Sequence, residues 1–188
     1  NAHGRHGGIH PRPAHEPGAQ HDDHGLAWHV LAQVADKISS QGAAQRRLTF
    51  TADRRYPGLQ GPRHWLRSSP DGSQIACLMK DDAGVVQLWT VSPNGGPLRQ
   101  VTTNRWPVAS TFTWSPDGHH IAHAMDNSVC VTTVASGQTK RLTPRTDDAS
   151  GPRSEACVFS PDGKKIAFMR WLPSPQKPAN QICVIGVS

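Results

Sequence analysis

Trp114-Ser115-Pro116-Asp117-Gly118-His119-His120-Ile121-Ala122 is the stretch that decides the fold, because its pattern occurs three times. Ser-Pro-Asp-Gly stands at 69–72, 115–118 and 160–163, and its aspartates, Asp71, Asp117 and Asp162, lie 46 and 45 residues apart. Two residues after each glycine comes Ile-Ala: Ile75-Ala76, Ile121-Ala122 and Ile166-Ala167. Apolar or aromatic residues precede each phrase, namely Trp65 and Leu66, Phe112 and Trp114, Val158 and Phe159. Self-similarity at a fixed period of about 40 to 50 residues marks a repeat architecture.

The phrase is a hairpin turn. Proline presets φ near −65° for the first corner, aspartate bonds the backbone beyond it, and glycine accepts positive φ. Strand-forming residues flank it, as in Cys157-Val158-Phe159 before and Lys165 to Met169 after. A third strand is predicted at 85–91, 129–134 and 181–187. A fourth is predicted at 99–102 and 140–143, and 46–50 reads as a fourth strand left from an earlier unit. Four antiparallel strands per repeat describe a β-propeller blade, so the fold class is all-β. A β-sandwich also has turns at short intervals, but sandwiches do not usually repeat one turn phrase at blade length. Three blades are fewer than the four to eight of a closed propeller, so a fragment of a larger propeller is expected.

Residues 46–188 thus form the blades, and residues 1–45 stand apart. The early segment holds His3, His6, His10, His15, His21, His24 and His29, with frequent glycine and proline, and reads as loop or disorder up to residue 24. His21-Asp22-Asp23-His24 has metal-ligating side chains, although its spacing matches no specific zinc motif. Residues 26–38 suit a short helix, with a strand over 28–34 as the alternative.

The net charge of +6 favours anionic partners in a general way. No run of five or six basic residues points to nucleic acid, and no apolar run reaches membrane-spanning length. Cys77, Cys130, Cys157 and Cys183 fall inside predicted strands and read as small buried hydrophobes in a reducing compartment. A cytoplasmic location is expected, with the periplasm as the alternative. His119, His120 and His123 lie along an outgoing strand that is expected to be solvated.

In a propeller, the connections from a fourth strand to the next first strand line one mouth of the central channel. Here they span 51–63, 103–110 and 144–154. The first is the richest, with Arg54, Arg55, Tyr56, Arg63, His64 and, just beyond, Arg67. Guanidinium forks match carboxylate or phosphate groups, and Tyr56 offers a ring and a hydroxyl to a sugar or base. His64 is a candidate metal ligand or proton-transfer group. The alternative is that these arginines pair with nearby acids such as Asp53 and Asp81. Asp147, Asp148, Arg153 and Glu155 make a second polar cluster that reads as a solvated loop. No nucleophile elbow, phosphate-cradling glycine loop or paired-cysteine zinc motif is present.

The phrase Trp-Ser-Pro-Asp-Gly followed by Ile-Ala, a strand and Leu142-Thr143 resembles the TolB-type propeller repeat. Residues 46–51, 56–59, 62–65, 81–82 and 86–89 resemble the C-terminal part of the bacterial YidR-like family, which is related to the oligogalacturonate lyases. That resemblance implies a binding propeller or, alternatively, a lyase acting on acidic oligosaccharides with manganese held by histidines and a glutamine. His64 is the residue it puts forward as a ligand, and the surrounding arginines would suit an anionic sugar. The TolB side of the resemblance implies a periplasmic protein-interaction module as a third reading.

Overall fold

The computed structural model describes residues 46–59, 66–109, 111–147, 152–172, 177 and 179–187, with 152–156 described by their backbone alone. Their regular structure is entirely β. The first sheet comprises β1 (Arg67–Ser68), β2 (Ile75–Lys80), β3 (Val86–Val91) and β4 (Arg99–Gln100), paired in chain order. The second repeats this plan with β5 (Thr113–Trp114), β6 (His120–Met125), β7 (Ser128–Thr133) and β8 (Thr139–Arg141). The third has β9 (Pro152–Phe159), β10 (Lys165–Leu172) and β11 (Ala179–Gly186), with β10 in the middle. All pairings are antiparallel. These are β-propeller blades, as the repeat predicts.

The three Ser-Pro-Asp-Gly turns share one hydrogen-bond network. In the second, the Ser115 hydroxyl donates to Asp117 at 2.5 Å, and that carboxylate oxygen accepts from the His119 N–H at 2.9 Å. The Ser115 hydroxyl also accepts from the His120 N–H at 2.9 Å. The same bonds recur around Ser69 and Ser160. The glycines have φ of 71°, 73° and 71°, conformations that side chains rarely adopt. Donors to its carboxylate, the Ser69 hydroxyl first, hold Asp71 down to about 2, and Asp117 and Asp162 are lowered for the same reason.

Ile-Ala recurs because the two residues face opposite neighbours. Ile121 packs toward the first sheet with Ala76, Leu78, Leu88, Phe112 and Trp114. Ala122 points toward the third sheet, with Ala124, Val129, Val131, Cys157, Phe159, Ile166 and Phe168. Ile166 repeats the backward-facing role, and Ala76 the forward-facing one. Full burial of such an isoleucine contributes about 1.5–3 kcal/mol, and the small alanine lets the next sheet approach.

Bonds between innermost strands tie the blades together. Trp114 Nε1 donates to the Arg67 carbonyl at 3.0 Å, and the Thr113 hydroxyl donates to the Cys157 carbonyl at 2.8 Å.

The fourth strands are shorter than predicted. After Gln100 and Arg141 a threonine hydroxyl replaces the backbone carbonyl as acceptor: Leu88 N–H donates to Thr102 Oγ1 at 3.0 Å and Val129 N–H to Thr143 Oγ1 at 2.9 Å. Residues 46–50 do not form the expected strand. A fourth strand exists only beside a third, and no described residue offers that partner. The histidine-rich segment, the 26–38 helix or strand and the His21–His24 cluster lie outside the described residues.

Candidate functional site

The turn phrases mark one end of each blade. The β2–β3 and β6–β7 hairpins mark the other end, where the connections between blades also arrive. Leu59 bridges to Met79 there and Val108 to Met125, ahead of the ladder pairs Arg67–Ala76 and Thr113–Ala122. In the third blade five positions, Pro152 to Cys157, span two, Phe168 to Arg170. Such a bulge re-aims side chains at the rims of sheets and beside active sites.

Of the six candidates, Arg54, Arg55 and Tyr56 come together. The Arg54 guanidinium lies over the Trp89 ring at 4.4 Å and pairs with Asp82 at 3.4 Å. The acid it uses is Asp82, not the expected Asp53 or Asp81. Asp81 instead closes its own hairpin, accepting from the Ala83 and Val85 N–H groups at 3.0 and 2.9 Å. Arg55 lies over Tyr56 at 5.4 Å, and Lys80 approaches the same ring at 5.4 Å. Gly84 lies beside the same ring at φ 83°, a conformation that side chains rarely adopt. Arg67 is elsewhere. It pairs with Ala76, four residues along β2 from Lys80, or about 13 Å at 3.3 Å per residue. Arg63 and His64 lie outside the described residues.

Lys80, Trp89 and a second cluster escaped the sequence reading. In the second blade Trp106 is 40% exposed, with Arg105 over its ring at 5.4 Å and Arg141 at 5.0 Å. Arg141 also donates to Asp126 at 2.5 Å and to the Ser128 hydroxyl at 2.7 Å, and Arg145 donates to Asp126 at 3.0 Å. Arg145 also pairs with Asp147 at 2.8 Å, so part of the predicted solvated cluster is engaged.

Buried Gln87 anchors the loop that carries Trp106. Its amide nitrogen donates to Asp81 at 3.0 Å and to the Asn104 carbonyl at 2.8 Å. Its oxygen accepts from the Thr102 hydroxyl at 2.7 Å and the Asn104 N–H at 3.0 Å. The overlooked signal was a second repeat: Arg55-Tyr56-Pro57 and Arg105-Trp106-Pro107 each precede the residue that bridges to a methionine, Leu59 to Met79 and Val108 to Met125.

His123 corrects an expectation. It is 0% exposed rather than solvated, because its face of β6 turns toward the first sheet. Its Nε2 meets the Thr132 hydroxyl at 2.9 Å, its Nδ1 has no hydrogen-bond partner, and burial pushes the imidazole down to about 4. Cys77, Cys130 and Cys157 are buried as expected, and all four cysteines are free thiols. Burial pushes Cys77 and Cys130 up to about 11. Among the described residues no three His, Cys, Asp or Glu side chains are grouped to hold a metal ion, and no helix is long and apolar enough to cross a membrane.

Repeated antiparallel sheets, two of four strands and one of three among the described residues, define a β-propeller protein related in fold to the oligogalacturonate lyases. More particularly, the chain is similar to the uncharacterized protein YidR of Escherichia coli (strain K12), with 48% identity over 130 residues. That match covers 69% of this chain and 31% of YidR, so the chain spans under a third of its relative's length. Among solved structures, an oligogalacturonate lyase in complex with manganese matches with a TM-score of 0.53 and 15% identity, covering 68% of this chain and 38% of that one. A putative TolB from Agrobacterium tumefaciens has 28% identity and a TM-score of 0.46, covering 63% of this chain and 40% of that one. No protein-family model matches the chain.

Proposed function

We propose that this chain is part of a ligand-binding propeller whose mouth, at the end carrying Arg54, Arg55 and Tyr56, takes an anionic small molecule or acidic saccharide. The observation that carries the reading is Arg55. It is exposed, and its described contact is the Tyr56 ring, with no acid beside it among the described residues. A guanidinium beside a ring and away from acids keeps N–H groups available to a carboxylate. Lys80 on the same ring adds a second positive charge. Arg63 and His64 follow in the same connection and are proposed to extend the mouth.

Titration calorimetry with galacturonate oligomers tests this. The expected result is salt-sensitive binding, weakened about tenfold by Arg55→Ala, a loss of about 1.4 kcal/mol. Binding that is indifferent to Arg55→Ala, Tyr56→Ala and Lys80→Ala together refutes the placement.

A lyase reading, with manganese at His64, extends this proposal. His64 lies outside the described residues, and the proposed role is the binding that Arg55 supports. Growth of ultraviolet absorbance from an unsaturated product, abolished by a chelator, would establish the lyase instead. A protein-interaction role of the TolB kind predicts capture of a protein partner that oligosaccharide does not displace.

A further inference from the structure

We infer that the second blade carries a second anion-binding subsite of the same build, made by Arg105 and Trp106 with Arg141 behind them, and that the ligand is an acidic oligosaccharide reaching across both blades. This rests on the proposed binding mouth and adds to it.

Position carries the argument first. Arg55-Tyr56-Pro57 and Arg105-Trp106-Pro107 occupy equivalent places, each just before the residue that bridges to the end of its blade's second strand. Each aromatic ring takes one cation from its own loop and one from its own sheet: Arg55 and Lys80 on Tyr56, Arg105 and Arg141 on Trp106.

The charges then divide into two groups. Arg54, Arg141 and Arg145 pair with Asp82, Asp126 and Asp147. Exposed Arg105, like Arg55, has its ring as its described contact and no acidic partner among the described residues. One available guanidinium therefore stands beside an aromatic ring shortly before the bridging residue in each of two successive blades.

The support beneath Trp106 is rigid. Three of the four hydrogen bonds of the Gln87 amide go to Thr102 and Asn104, and the fourth goes to Asp81, so the loop is tied to the first sheet before a ligand arrives. Such preorganisation lowers the ordering cost of binding.

A repeated site fits a repeated ligand. An oligosaccharide with one carboxylate per sugar offers a bidentate partner to each guanidinium and a hydrocarbon face to the 40% exposed Trp106 ring. A nucleic-acid strand fits less well, since the sequence has no run of five or six basic residues to follow a phosphate backbone.

The test measures affinity against ligand length, using galacturonate as monomer, trimer and pentamer on the full chain, with Trp106→Ala and Arg105→Gln. Trp106→Phe keeps a ring, and thermal melts check folding. The expected result is a pentamer that binds at least about tenfold more tightly than the monomer. Trp106→Ala and Arg105→Gln should remove that gain, and Trp106→Phe should restore most of it. If Tyr56→Ala weakens every oligomer while Trp106→Ala and Arg105→Gln change none, the second subsite is overturned and the first stands. If no oligomer binds, both fall. If a single-stranded oligonucleotide binds more tightly and responds to Trp106→Ala, the saccharide assignment is overturned.

Discussion

Acidification from pH 7 to pH 4 should destabilise this fold through His123. The side chain is fully buried between the first and second sheets, and its Nδ1 has no hydrogen-bond partner. Desolvation disfavours the imidazolium, lowering the group from 6.5 to about 4 in the folded chain. An unfolded chain binds this proton near pH 6.5, and the folded chain does so only near pH 4. Between these values the unfolded state holds more protons, so stability falls as pH falls and levels off below the lower one. At about 1.4 kcal/mol for each pH unit, the whole window removes about 3 kcal/mol.

The neighbours do not mask this effect. Cys130, opposite His123 in the β6–β7 ladder, has its thiol pushed up to about 11 and stays neutral throughout. The lowered turn aspartates begin to lose their contribution toward the lower end of the window, and they do so equally in the parent and in a His123 variant, so they cancel in the comparison. The control is His123→Leu, which cannot titrate. It leaves the Thr132 hydroxyl bonded to Thr139 at 2.8 Å. Urea unfolding followed by tryptophan fluorescence at several pH values gives both curves. The expected difference is a loss of about 3 kcal/mol in the parent that is absent from the variant. Parallel curves across pH 6.5 to 4 would refute the assignment of the slope to His123.

Two further outcomes follow from the packing between strands. Gly137 sits at φ 72°, and a Cβ there would lie 2.1 Å from the Val101 carbonyl oxygen of the preceding blade, so Gly137→Ala should cost at least about 2 kcal/mol in denaturant unfolding. A cost below about 0.5 kcal/mol would show that the β7–β8 hairpin moves freely against Val101. Under native alkylation with mass-spectrometric mapping, Cys183 should label before Cys77, Cys130 and Cys157, because it alone is partly exposed. Earlier labelling of Cys130 would mean that the β6–β7 sheet opens locally.

The fold was legible because its grammar is local. Proline, aspartate and glycine at one spacing dictate a turn from their own backbone preferences, and Ile-Ala after each turn follows from the two-residue alternation of a strand. His123 was misread because alternation assigns a residue to a face without saying whether that face meets water or another blade. Trp106 was missed for a related reason. Its partner Arg141 is 35 residues away and reaches it only after β6, β7 and β8 have formed. Pairing with Asp53 or Asp81 is the alternative the sequence offers to a ligand role for Arg54, yet the β2–β3 hairpin commits Asp81 to its own N–H groups and leaves Asp82 outward. Adjacency in sequence does not account for hydrogen-bond capacity already in use.

The two ends of the blades differ chemically. At the turn end, the same Asp carboxylate oxygen in every repeat accepts from a serine hydroxyl and a backbone N–H. Those carboxylates are held charged and occupied, which suits them to fixing a turn and makes them poor proton donors near neutral pH. At the other end the connections between blades arrive, and backbone outside the ladders can carry varied side chains without disturbing the sheets. There the exposed Arg55 and Arg105 stand beside their rings, ahead of the bridges at Leu59 and Val108. A structural role at one end thus leaves the other open to chemistry. Substitutions at Arg55 or Arg105 should then change binding and leave the melting temperature in place, whereas loss of Asp117 should lower the melting temperature.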